Sequence, residues 1–240
     1  MKKLAGVLLA VVILTTSVAD VFGEGEVSSS GSAQLVSQET VRVMPTDPRS
    51  RNDEIQTFTV NTFNDNGVIV YAVGKLDDDK LRDLAFDHII SLADSTPTSR
   101  IVAGQHSIIA AEGQARQAGW VRNTHNTSDW RTFNQFSGAH GVAWDGAGQA
   151  RDMFMTQRAS FTTLNPSVSI TWPPSFNISL GSLSREWRSD RFNANSISAS
   201  VGNVVACNFC LTSTWAMEGQ MIVGTNTFRP GTTVSFGLFN

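Results

Sequence analysis

Apolar and small polar residues alternate along much of the second half of this chain. Val168, Ile170 and Trp172 are interleaved with Ser167, Ser169 and Thr171, and Phe176, Ile178 and Leu180 with Ser175, Asn177 and Ser179. Ile197, Ala199 and Val201 stand among serines in the same way, and Val234, Phe236 and Leu238 repeat the rhythm near the C-terminus. A period of two gives each strand one apolar and one polar face, and a series of such strands predicts an antiparallel sandwich or a barrel-like arrangement.

The first half reads differently. Ile55–Phe63 and Val68–Val73 are rich in β-formers, and Asn64–Gly67 supplies the turn residues of a hairpin. Leu81, Leu84, Ala85, His88, Ile89 and Leu92 then fall at helical spacing. Asp77, Asp78 and Asp79 stand at the start of that helix, where negative charge suits its dipole and its cap, and Thr96-Pro97 ends it. Ile101–Val121 is ambiguous: Ser107–Arg116 has helical character, but Gly104, Gly113 and Gly119 oppose it. Asn123–Ala150 has the polar, glycine-bearing composition of long loops. The expected fold class is therefore α+β and mainly antiparallel β, with an N-terminal hairpin and helix followed by a β-sandwich or barrel-like C-terminal half. Its segments are 24–52 as a flexible leader or propeptide, 53–122 as hairpin and helix, and 123–240 as the β-rich part, the last two possibly forming one domain.

The first 23 residues set the expected location. Lys2 and Lys3 precede an uncharged apolar run from Leu4 to Leu14, and small residues follow as far as Gly23. This is the pattern of a secretory signal peptide over 1–23, cut near Asp20 or just after Gly23, and it predicts a secreted, extracellular protein. No cysteine near residue 20 offers a lipid anchor, and Phe236–Asn240 carries no sorting tail, so release is expected rather than anchoring.

Charge is unevenly spread. Asp20–Asp94 holds 14 acidic and 6 basic residues, whereas Ser95–Asn240 holds 7 acidic and 10 basic ones. The basic excess of the second part is too small to argue for nucleic acid, and export argues against it. Beyond the signal peptide only Lys75 and Lys80 accompany 14 arginines, whose planar forks suit carboxylate, phosphate or sulfate groups.

Chemistry-bearing residues are sparse. Cys207 and Cys210 are the only cysteines, and in an exported chain their even count predicts a local disulfide. Histidines stand singly at 88, 106, 125 and 140, so no metal site and no cofactor is expected. The turn Asn64–Gly67 fails as a calcium loop, because Thr62 and Val73 would occupy the first and last ligand positions. His140 and Asp145 lie in a glycine-bordered stretch and are weak candidates for general-base catalysis. Neither a nucleophile elbow nor a zinc-protease helix motif occurs.

Six tryptophans accompany a single tyrosine, and several stand beside arginine. Trp130, Arg131, Trp144, Arg185, Trp187, Arg188 and Arg191 are the candidate binding residues, since tryptophan stacks on sugar rings and arginine grips anionic groups. The pattern predicts a secreted, non-enzymatic protein that binds a cell-envelope polymer, a glycan or a membrane surface through Trp/Arg-bearing loops. Two alternatives accompany it: a membrane-active pore-forming or antimicrobial toxin, and a secreted hydrolase using His140 with acidic partners.

Overall fold

A computed structural model describes residues 27–43, 56–94, 101–125, 133–163, 182–201, 204–207 and 210–237. In chain order its first elements are β1 (Ser28–Ser29), β2 (Gln34–Val43), β3 (Gln56–Asp65), β4 (Val68–Val73), α1 (Asp79–Ala93), β5 (Ile101–Ser107), β6 (Ala110–Glu112), β7 (Ala115–His125) and β8 (Phe133–Trp144). β9 (Arg151–Thr163), β10 (Ser182–Arg188), β11 (Phe192–Asn193), β12 (Ser196–Ser200), β13 (Val204–Cys207), β14 (Cys210–Val223), β15 (Asn226–Phe228) and β16 (Gly231–Gly237) follow. The chain is mainly antiparallel β, with one helix and two sheets among the described residues.

One sheet runs β2-β3-β4-β12-β8-β7-β5, with β13 beside β8 and β6 beside β7. The other runs β1-β11-β9-β14-β15, with β10 beside β9 and β16 beside β14. Strand β12 is inserted between β4 and β8, so early and late parts of the chain share one sheet. Gln34–Val43 lies within the stretch read above as a leader and forms an edge strand here, paired with β3 along its length.

Two hydrophobic clusters draw on both sheets. Val142, Ile197 and Ala199 of the first meet Met153, Met155 and Met221 of the second. Phe136 and Val121 meet Phe161, Trp215 and Met217 in the other cluster. A third cluster packs α1 against β3, β4 and β8 through Phe86, Ile89, Phe58, Val73 and Ala139. On β8, then, even-numbered side chains face the other sheet and odd-numbered ones face the helix, as pleating requires.

Helix α1 packs through a different stripe from the one its apolar spacing suggests. Leu81, Ala85, Phe86, Ile89, Ile90 and Ala93 are buried, whereas Leu84 and Leu92 are exposed. Phe86 and Ile90 reach the strand surface at Gly141, where a side chain would collide with both. That absent side chain sets which stripe of the helix packs. Asp78 caps α1, accepting the Leu81 N–H at 2.8 Å. Asp78→Ala is expected to lower stability by about 1 kcal/mol, read as a fall in Tm, and an unchanged Tm would contradict the capping role.

The sequence expectations fail most clearly between Ile101 and Ala150. The ambiguous stretch holds strands β5, β6 and most of β7, with no helix, and β8 occupies Phe133–Trp144 where long loops were expected. Glycines misled that reading. Gly119 and Gly138 have φ of 141° and 152°, and they sit where strands β7 and β8 press together. A Cβ on Gly119 would lie 2.1 Å from the Ala139 carbonyl oxygen, and one on Gly138 2.0 Å from that of Trp120. They serve a close approach within a sheet, a known use of strand glycine.

Candidate binding face

The residues singled out from sequence are not brought together. Trp130 and Arg131 lie outside the described residues. Trp144 is buried at the end of β8, where its Nε1 donates to the Ala147 carbonyl at 3.1 Å and its ring meets Phe228. It stands in a strand and packs the interior rather than tipping a loop. Trp187 is half-buried on β10 and packs against both inter-sheet clusters. Arg185 shares its inward side, and burial lowers its pKa. Arg188 and Arg191 are exposed. The Arg188 guanidinium stacks over Phe154 at 3.9 Å, and Arg191 stands 3.8 Å from Asp152.

His140 and Asp145 also occupy separate environments. His140 is fully buried between the sheets, beside Gly119 of β7 and Ala199 of β12. Neither ring nitrogen has a hydrogen-bond partner among the described residues, and burial lowers its pKa to about 3. Gln117 shares its face of the sheet, and Gln157 of β9 reaches across to donate to the Ser200 carbonyl at 3.2 Å. Asp145 instead pairs with Arg116 at 2.8 Å, and Arg116 also binds Asp83 of α1 at 2.7 Å. Burial raises the Asp145 pKa, and the Arg116 charge opposes that rise.

Another close pair of carboxylates is committed to backbone. Asp65 accepts the Asp190 N–H at 2.7 Å, and Asp190 accepts the Ala33 N–H at 2.8 Å and the Ser29 hydroxyl at 3.0 Å. Among the described residues no group of three or more His, Cys, Asp or Glu side chains is placed to hold a metal. The side chains of Cys207 and Cys210 lie outside the described residues. Their backbones end β13 and begin β14, so the step between them carries the chain from one sheet to the other.

What the strands do assemble is a polar face. On β9 and β14 the odd-numbered side chains, Met155, Ala159, Phe161, Trp215, Met217 and Met221, are buried, and their even-numbered neighbours point the other way. Strand register aligns the outward residues in rows across β10, β9, β14 and β16. Arg188, Thr156, Glu218 and Gly231 form one row, and Glu186, Arg158, Ala216 and Thr233 the next. Ser184, Ser160, Thr214 and Ser235 form a third, and Thr162 and Thr212 stand side by side in a fourth. Arg158 Nε donates to Glu186 at 2.9 Å, and the Thr214 and Ser235 hydroxyls lie 3.1 Å apart.

At the Arg188 end this face dips into a cleft of about 580 Å3, lined by Phe154, Thr156, Glu218, Gln220, Arg229 and Thr232 among others. The Arg229 backbone N–H donates to the Glu112 carboxylate of β6, which ties the rim of the cleft to the first sheet.

Of the residues proposed from sequence, only Arg188 belongs to this surface. Its hydroxyls were visible as period-2 alternation in 154–162 and 212–220, but their alignment into rows depends on register between strands far apart in sequence. Scans against known protein-family models and against curated proteins return no match to this chain.

Proposed function

We propose that the protein is secreted and acts outside the cell as a non-enzymatic binder of a cell-envelope polymer or cell surface, on a β-sandwich scaffold. The observation that carries the reading is the hydroxyl-rich face of β10, β9, β14 and β16 running into the Arg/Glu/Phe-lined cleft. A surface that is open along its strands and closed at one end suits a long ligand held at many weak points. The cleft volume falls within the ~300–1,000 Å3 usual for ligand sites.

The test is a pull-down of the purified protein on whole cells, isolated wall polymer and lipid vesicles. Thr233→Tyr and Ser235→Tyr place bulk on exposed strand positions that accept aromatic residues. The double variant is expected to keep its thermal unfolding curve and to lose at least about tenfold in retention, since each spoiled hydrogen bond is worth ~1 kcal/mol. Retention on none of the three materials, or equal retention of the variant, would overturn the reading.

A second reading, a membrane-active protein, draws on the alternating residues Val168–Leu180. They lie outside the described residues and join β9 to β10, whose pairing runs as far as Thr162↔Ser182. Among the described residues no helix is long and apolar enough to cross a membrane, which says nothing of strands. Dye release from liposomes separates this reading from the first. A hydrolytic reading needs His140 and Asp145 to reach one substrate, and their separate environments give it no support.

A further inference from the structure

The geometry points to an uncharged polysaccharide as the ligand of the cleft and its adjoining face; the inference rests on the binding function proposed above.

Charge is the discriminating property. Arg158 on the face is paired with Glu186, Arg191 beside it with Asp152, and the cleft lining itself holds one guanidinium and one carboxylate, Arg229 and Glu218. Arg188 and Glu112 stand at the margins and add one charge of each sign. A polyanion would meet Glu186, Glu218 and Glu112 on any path along this surface, and a polycation would meet the arginines. A neutral chain meets neither penalty.

The lining also matches the hydrogen-bonding needs of sugar hydroxyls, which both donate and accept. Glu218 accepts, Arg229 donates, and Gln220 with the hydroxyls of Thr156 and Thr233 does both. The Arg188 guanidinium is laid on the buried Phe154 ring and held there, so little side-chain entropy is lost when a ligand contacts it. Beyond the cleft the third and fourth rows add further hydroxyls, and rows follow one another along the strands at about 6.7 Å, two residues of rise, so later sugars of a chain find further partners.

The experiment measures retention of the full protein on whole cells and on chitin, cellulose and yeast β-glucan, with soluble dextran sulfate as the anionic comparison, at 0.05 M and 1 M NaCl. Binding to at least one of the three neutral polymers is expected, changing less than about twofold between the two salt concentrations, because screening acts on ion pairs and not on neutral hydrogen bonds. Glu218→Gln and Arg229→Gln are expected to weaken binding about tenfold each while leaving the thermal unfolding curve unchanged.

Retention on cells but on none of the three neutral polymers would overturn the inference and leave the binding function standing. So would preference for dextran sulfate, or loss of most binding at 1 M salt. Retention on no cell, wall or vesicle material would remove the binding function itself.

Discussion

Lowering the pH from 7 to 4.5 is expected to remove folding stability through His140 alone, on the order of a few kcal/mol, a loss that a His140→Leu chain escapes. The folded protein holds this imidazole neutral, because it is fully buried between the sheets with no hydrogen-bond partner for either nitrogen among the described residues. The unfolded chain takes up a proton below about 6.5, whereas the folded chain refuses it down to about 3. Between those values the unfolded state binds more protons, so stability falls as the pH falls, reaching about 5 kcal/mol at the acid end of the window.

Carboxylates titrate over part of the same range. Asp65 and Asp145, raised chiefly by burial, act in the opposite sense, and Asp190, held low despite its burial by the backbone and hydroxyl groups it accepts from, acts in the same sense as His140. These contributions are common to both chains, so the difference between two urea-unfolding series, at pH 7 and pH 4.5, isolates the histidine. At pH 7 the leucine chain should be no less stable than the wild type, because an apolar side chain there leaves no unpaired polar atom. Equal pH slopes in the two chains would refute the assignment. His140→Met provides the same comparison if the leucine chain packs poorly.

The second large effect is expected at Gly138 and Gly119. Alanine at either place forces a Cβ to about 2 Å from a carbonyl oxygen of the facing strand and places an L-residue at φ beyond +140°. Strain and overpacking together are expected to cost on the order of 4 kcal/mol per substitution, most of the margin of a domain that is stable by ~5–15 kcal/mol. Gly67 provides the control. Its φ of 89° also disfavours alanine, but nothing lies within 4 Å of the added carbon. Gly67→Ala should therefore cost only about 1–2 kcal/mol. Chemical denaturation of the three variants tests the argument, and equal losses at all three positions would show that conformation rather than contact decides.

These glycines also mark the limit of what could be read from the sequence. The mainly antiparallel β character was legible, because period-2 alternation in Ile197–Val201 and Val234–Phe236 needs no partner to be recognised. Strands β7 and β8 were hidden, since Gly119, Gly138 and Gly141 mimic loop composition while serving backbone contact and the seat of α1. The helix face was misjudged for a related reason. Leu84 and Leu92 are as apolar as any buried residue, and only the groove at Gly141 explains why Phe86 and Ile90 are turned inward instead.

The candidate surface was legible only in part. Tryptophan suggested stacking, yet Trp144 and Trp187 contribute to the interior, and the polar face is made of serines and threonines that carry no signal singly. Register alone turns them into rows. Register depends on contacts between residues 153–163, 182–188, 210–223 and 231–237, which no local pattern specifies.

The placement of β12 also dictates an order of events during synthesis. Its three neighbours, β4, β8 and α1, all precede it in the chain, and Ser198 donates its hydroxyl to the Ile89 carbonyl at 2.6 Å across 109 residues. Until Ser200 has been translated, β4 and β8 have no strand between them and α1 lacks one of the strands it packs on. The first sheet therefore stays unclosed for most of synthesis, and the unpaired edges of β4 and β8 are exposed to aggregation until then.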